Sequence, residues 1–306
     1  MIYTCTLNPS LDYYLTINKT LERGVANRSV AEYYEPGGKG TNVSIVLSNF
    51  QIPSVALGFL GGWNKDFYIS MLNKYNHVQA LFTGIEDNTR VNIKILGEAE
   101  TDINAKGPNI KPEEIAKFRR RLEKVTARDI FVLSGNIQEE LKEVMEEIIA
   151  DLSSRRVSIV LDTNPEFVKK CLKYQPILIK PNFEELEAMF NKKVDEDDID
   201  SLIAMANSLS EEGAANVLVS LGNKGSFLVS GGTVLRNDAL EGEVVNATGA
   251  GDSMVAGFIL SLIRGATPFE SYKYACAAAY ATIFENHLAT REDILKYIDK
   301  VTLYEA

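Results

Sequence analysis

Asn246-Ala247-Thr248-Gly249-Ala250-Gly251-Asp252-Ser253 is the stretch on which the reading of this 306-residue chain turns. Met254, Val255, Phe258, Ile259, Leu262 and Ile263 follow at a spacing that predicts a helix with these residues on one side. Small residues at a helix entrance free about three successive peptide N–H groups to converge on an anion, and the helix dipole favours negative charge there. Asp252 stands directly behind them, where a carboxylate can accept a proton from a hydroxyl attacking phosphorus. A carboxylate in this position is also a common helix cap, but capping alone does not call for the glycines. The turn is not a dinucleotide fingerprint, because Met254 stands where the third glycine belongs. Nor does a Gly-x-x-x-x-Gly-Lys-Ser/Thr loop occur anywhere in the chain.

Three further loops share this character. Pro36-Gly37-Gly38-Lys39-Gly40-Thr41-Asn42 leads into the helical stripe Val43, Val46, Leu47 and Phe50. It reads either as a plain glycine turn or as a second anion-accepting helix entrance, with Lys39 and Asn42 adding a cation and an amide. Lys180-Pro181-Asn182-Phe183-Glu184-Glu185 follows an apolar strand, and parallel sheets bind ligands at the carboxyl ends of their strands. There a lysine can meet a nucleotide phosphate and an acid can hold Mg²⁺ through waters, unless the segment is only a strand-to-helix turn. Ser220-Leu221-Gly222-Asn223-Lys224-Gly225 is by itself a weak hairpin signal.

Between these loops, short apolar runs alternate with helical patterns. Ile130 to Leu133, Val157 to Leu161, Ile177 to Ile179 and Val217 to Leu221 read as buried strands. Leu141, Val144, Met145, Ile148 and Ile149 form an amphipathic helical stripe, Ile203 to Leu209 belongs to another helix, and Thr267-Pro268-Phe269-Glu270 looks like a capping box. This alternation predicts an α/β fold, a mostly parallel sheet flanked by helices, with residues 1–306 forming one domain. Residues 13–18, 28–35 and 89–96 alternate with many polar positions. In 90–95 the period of two separates Arg90, Asn92 and Lys94 from Val91, Ile93 and Ile95. Such pieces read either as ordinary edge strands or as a small β-sheet lid over a cleft, with its strands within about 12–35 and 88–105. Tyr13, Tyr14, Tyr33 and Tyr34 would give that lid an apolar face to bury, hence a homodimer clasped through the lids.

Composition narrows the partners. A net charge of −10 with no Lys/Arg-rich run argues against nucleic acid. No stretch approaches about 20 apolar residues, so no membrane span is expected, and no signal peptide is seen at the start. Cys5, Cys171 and Cys276 are far apart and read as reduced thiols of a cytoplasmic protein; with only His77 and His287, zinc is not expected.

Taken together and in this order, the motifs resemble the PfkB (ribokinase-like) carbohydrate kinases over essentially the whole chain. The Asn8-Pro9…Asp12 opening and the Gly37-Gly38-Lys39-Gly40…Asn42 loop are similar to the phosphofructokinase and tagatose-6-phosphate kinase branch, most of all to 1-phosphofructokinases. The resemblance implies ATP and Mg²⁺ as cofactors, with a ketohexose phosphate, first D-fructose 1-phosphate, as acceptor. It implies that Asp252 is the base and that Gly249, Ala250 and Gly251 supply an anion hole. Asp12, Gly38 and Asn42 would hold sugar hydroxyls, and Ser134 would touch the substrate. Lys39, Arg28 and Arg90 would take the phosphate already on the sugar, with Lys94 a further candidate. Lys180, Asn182 and Glu185 would serve the ATP phosphates and, through water, magnesium, with Ser220, Gly222 and Gly225 beside the nucleotide. Ser134-Gly135-Asn136-Ile137-Gln138 departs from the family's Ser-Gly-Ser-x-Pro-x-Gly, and Phe284 replaces a frequent polar residue on the adenine side. A tagatose-6-phosphate kinase is the nearest competing reading. A non-catalytic sugar-phosphate sensor is a more distant one, since a sensor needs no base.

Overall fold

The computed structural model describes residues 1–306. The chain opens with β1 (Ile2–Thr6), β2 (Ser10–Thr16), β3 (Ala31–Gly37), α1 (Lys39–Asn49) and β4 (Ser54–Gly61). Then come α2 (Lys65–Leu72), β5 (Val78–Ala80), β6 (Thr83–Ile85), β7 (Arg90–Leu96), β8 (Thr101–Ile103) and α3 (Pro112–Leu122). Strand and helix alternate through β9 (Ile130–Ser134), α4 (Lys142–Ser154), β10 (Ser158–Asp162), α5 (Pro165–Cys171), β11 (Leu178–Ile179), α6 (Phe183–Phe190), α7 (Ile199–Glu211) and β12 (Asn216–Ser220). The last third holds β13 (Ser226–Ser230), β14 (Thr233–Asn237), α8 (Ala250–Leu262), α9 (Pro268–Ile283), α10 (Arg291–Tyr297) and β15 (Tyr304–Glu305).

The larger sheet runs β15-β14-β13-β12-β11-β10-β9-β1-β4-β5, with β6 beside the end of β4. From β12 to β5 the pairing is parallel, so these strands point their carboxyl ends to one edge. The apolar runs are short because both faces are covered, as a parallel sheet requires. Phe131 and Leu133 enter one core layer with Met145, Ile149, Phe167 and Leu186. Val132, between them, enters the other with Val43, Leu47, Phe258 and Tyr272. The expected one-sided α8 is instead buried all round from Asp252 to Ser261, because α1 and α9 flank it; only Ile263, just past its end, is exposed. The Thr267 capping box forms as predicted, Glu270 N–H donating to Thr267 Oγ1 at 3.2 Å.

The smaller sheet runs β3-β2-β7-β8. β2 starts three residues earlier than the sequence pattern suggests, since its ladder to β3 and β7 already begins at Ser10. Register places Arg90, Asn92 and Lys94 opposite Ser10, Asp12 and Tyr14, and Glu35 opposite Asp12, all on one face. The four tyrosines do not share a face. Tyr13 stacks on Tyr34 at 4.4 Å and Tyr14 on Tyr33 at 4.6 Å, and the period of two puts these pairs on opposite sides.

Candidate active site

The turn into α8 has the conformation that its composition suggests. Gly249 takes φ +80°, and a Cβ there would lie 2.5 Å from Leu288 Cδ2, so this position needs glycine twice over. Val245 and Asn246 donate their N–H groups to Ile283 O at 2.8 and 3.1 Å, tying the turn to the end of α9. The N–H groups of Gly249, Gly251 and Asp252 have no backbone acceptor, and that of Ala250 reaches only Ala247 O at 3.4 Å. These donors stand unpaired at a helix N-terminus, an arrangement that suits an anion. Asp252 itself is 5% exposed and accepts a 2.8 Å hydrogen bond from Asn42 Nδ2. Burial, and next the Asp162 charge, push its carboxyl up to about 6, against the opposing pull of Lys39.

Asp162 is the residue that sequence reading missed. It ends β10 beside Ser134, with Lys180 one strand further on. Its Oδ1 lies 3.3 Å from Lys180 Nζ and 3.5 Å from Lys39 Nζ, while its Oδ2 is buried with no hydrogen-bond partner. Burial raises this carboxyl, but Lys180 and Lys39 outweigh it and hold it below the usual carboxylate range. Lys180 is itself buried, and its ammonium lies so close to Gly251 that a Cβ there would stand 3.1 Å from Nζ. Asn182 and Glu185 form a reciprocal cap on α6 with bonds of 2.7 and 2.9 Å, leaving Glu185 Oε1 at 3.8 Å from Lys39. Ser134 Oγ is buried and unpartnered at the end of β9. The altered loop after it is held by Asn164, whose Oδ1 accepts from Ile137 N at 2.7 Å.

Two cavities are lined by neighbours of Asp252, though not by Asp252 itself. The larger, about 820 Å³, includes Ala250 and Gly251 in its wall, together with Asn182, Ser220, Gly222 and Gly225. Its far end is apolar, with Tyr280 and Phe284, the latter packed over Gly242. A cavity of this size with polar groups at one end and aromatic rings at the other suits a nucleotide. The smaller, about 260 Å³, contains Asp12, Gly37 and Asn42. Asp12 Oδ1 accepts from Ser10 Oγ at 2.7 Å and Asn92 Nδ2 at 2.9 Å, and burial above all holds its carboxyl above the usual range. Gly37 must lack a side chain, because a Cβ would fall 2.3 Å from Asp12 Oδ2.

The basic residues expected to converge on a sugar phosphate do so only in part. Arg90 faces the cleft, anchored through Nε to Asn8 O at 3.2 Å and through a terminal nitrogen to Ala105 O at 3.1 Å. Lys39 turns toward Asp162 and Glu185, because those acids are its nearest counter-charges. Lys94 is committed to Asp102, its cross-strand neighbour. Arg28 is exposed in the connection between β2 and β3, with no hydrogen bond or ion pair. It lies beyond the Thr16–Ala31 end of the hairpin, four strand positions from Asp12, or roughly 13 Å at about 3.3 Å per residue. No contact ties it to this site within the single chain.

Comparison with known proteins agrees with this geometry. The family model for pfkB family carbohydrate kinases matches residues 7–293. A 1-phosphofructokinase of Borreliella burgdorferi is 36% identical over 303 residues, covering 98% of this chain and 97% of the relative. A D-tagatose-1-phosphate kinase of Bacillus licheniformis is 32% identical over 292 residues, 94% of each chain. The crystal structure of Escherichia coli phosphofructokinase-2 in complex with fructose-6-phosphate superposes with a TM-score of 0.91 at 25% identity, covering 98% of both chains. A fold shared end to end, together with a side-chain-poor helix entrance backed by a buried acid, leaves one conclusion: this chain belongs to the pfkB family of carbohydrate kinases.

Proposed function

We propose that the chain transfers the γ-phosphoryl group of ATP to the free primary hydroxyl of a ketohexose phosphate, in the first place D-fructose 1-phosphate, giving fructose 1,6-bisphosphate. The observation that carries this reading is that residues on either side of Asp252 in space line the two cavities. Ala250 and Gly251 border the larger one, and Asn42, bonded to Asp252, borders the smaller. The acceptor hydroxyl gives its proton to Asp252 as its oxygen bonds to the γ-phosphorus and the bond to ADP breaks. A base near pH 6 is ionised at neutral pH and close enough to it to accept that proton. The N–H groups of Gly249, Ala250 and Gly251 meet the charge on the moving phosphoryl oxygens. Asp12, Gly38 and Asn42 hold hydroxyls, Ser134 touches substrate, and Arg90 takes the acceptor's phosphate. Lys180, Asn182, Ser220, Gly222 and Gly225 hold ATP, and Lys39 joins them by its position.

Two oxygens suit Mg²⁺, the unpartnered Oδ2 of Asp162 and Oε1 of Glu185. No group of three or more acids or histidines gathers here, so nucleotide phosphates and water would complete the shell. Bound there, the ion would neutralise charge on the phosphates. The smaller sheet acts as a lid in this reading, and its outer face carries the Tyr13–Tyr34 stack with Phe67 against Tyr34. A homodimer through that face, in the cytoplasm, completes the proposal. A single monomeric mass in light scattering at micromolar concentration would count against the dimer.

A tagatose phosphate is the second acceptor worth testing, given the Bacillus licheniformis relative. Coupled ADP release with a panel of phosphosugars is the experiment. Turnover on the order of 1–100 s⁻¹ with D-fructose 1-phosphate is expected. No ADP release with any ketohexose phosphate would remove the proposal.

A further inference from the structure

The smaller cavity holds more than the sugar ligands named so far. Its wall includes Asp12, Glu35, Asn42, Asn49, Tyr75 and His287. What matters is which polar atoms there remain unused. Asp12 Oδ2, over Gly37, receives no donor from the protein, both donors going to Oδ1. Asn42 gives one amide N–H to Asp252, which leaves its second N–H and its carbonyl oxygen. Asn49 likewise gives one to Ala289 O at 3.0 Å. Glu35, directly across the ladder from Asp12, has no hydrogen bond and no ion pair, and no lysine or arginine lines this cavity. Its carboxyl is held above the usual range by desolvation and by Asp12.

Donors also line this wall, Tyr14, Tyr75 and Thr248 among them, but the two carboxylates keep acceptor oxygens without partners and no cation faces them. Two unpaired carboxylates with no lysine or arginine beside them attract hydroxyl donors and repel a phosphate, so the acceptor's phosphate belongs on the Arg90 side and its ring hydroxyls here. Resting on the kinase reading above, we infer that Glu35 is a specificity-determining residue, which together with Asp12 accepts hydrogen bonds from the sugar's ring hydroxyls. D-fructose and D-tagatose differ only in configuration at C4. With the primary hydroxyl fixed at Asp252 and the phosphate near Arg90, the remaining ring hydroxyls are what a second carboxylate beside Asp12 can read. Glu35 thus sets the preference between these two epimers.

The test is steady-state kinetics of wild type, E35Q, E35D and E35A with D-fructose 1-phosphate and D-tagatose 1-phosphate at saturating ATP. A lost hydrogen bond to a charged group corresponds to a fold-change of about ten to a hundred. E35Q is expected to raise KM for the preferred epimer about tenfold while kcat moves by less than about threefold, and to shift the kcat/KM ratio between epimers by about fivefold or more. E35D, keeping the charge one methylene back, should recover part of the preference. Melting curves accompany each variant, and the near-isosteric E35Q decides if E35A does not melt cooperatively. An epimer ratio unchanged in folded E35Q overturns the assignment. So does a variant whose only change is its response to added potassium, which would give the cavity to a cation. Wild type inactive on both epimers would instead remove the function on which the inference stands.

Discussion

The two walls of the cleft are built in different ways. The proposed donor side is the N-terminal turn of α8, whose helix is sealed between α1 and α9 and whose Asp252, the proposed base, is almost fully buried. The acceptor side is one face of a four-stranded sheet, where Asp12 and Arg90 are steadied by single hydrogen bonds to Ser10, Asn92, Asn8 and Ala105. A packed interior fixes groups to fractions of an ångström and excludes water, which is what charge stabilisation at a transferring phosphoryl group requires. A thin sheet can admit a substrate and change its preference by one side chain. The difference separates chemistry from selection.

Mutations should respect that division. Asp252→Asn removes the proton acceptor and should lower kcat by roughly 10² to 10⁴-fold, with ATP affinity, read by titration, nearly unchanged. Near-normal turnover would move the base elsewhere. Asp162→Asn leaves Lys180, 4% exposed, without its counter-charge, and should cost roughly 3 kcal/mol in a denaturant melt. An unchanged midpoint would mean that the lysine has another partner. On the acceptor side, Arg90→Ala should raise KM for the sugar phosphate about tenfold or more while KM for ATP moves by less than about twofold. Equal effects would take Arg90 out of the acceptor site and blur the division.

The smallest expected effect is on stability. The folded-state value of Asp252, about 6, lies above its unfolded value of 3.8, so its contribution is fully present below 3.8 and is lost as pH rises through 6. Asp252→Asn should therefore melt a few degrees higher than wild type at pH 8, by roughly 2 °C per kcal/mol for a chain of this size, and no higher at pH 4. A variant that melts lower at pH 8 would show that the buried charge is better compensated than its surroundings indicate.

Much of the fold was legible because buried parallel strands and helix entrances leave strong local marks: the runs at 130–133 and 157–161, and the glycines before Asp252. What escaped depends on register. Asp162 is one acid at the end of an apolar run, and nothing local says that it faces two lysines on neighbouring elements. Arg28 lies in the loop past the Thr16–Ala31 end of its hairpin, and the tyrosines at 13, 14, 33 and 34 look like one patch until alternation divides them. Glu35 gains meaning only opposite Asp12.

Proton acceptance by Asp252 is the central proposal, and its sharpest test is the pH dependence of kcat/KM for D-fructose 1-phosphate, which reports the sugar-free enzyme. The account predicts a plateau near neutrality and a tenfold fall per pH unit below about 6, the limb being absent from the residual activity of Asp252→Asn. A kcat/KM that stays flat down to pH 5, or the same acid limb in the variant, would rule it out.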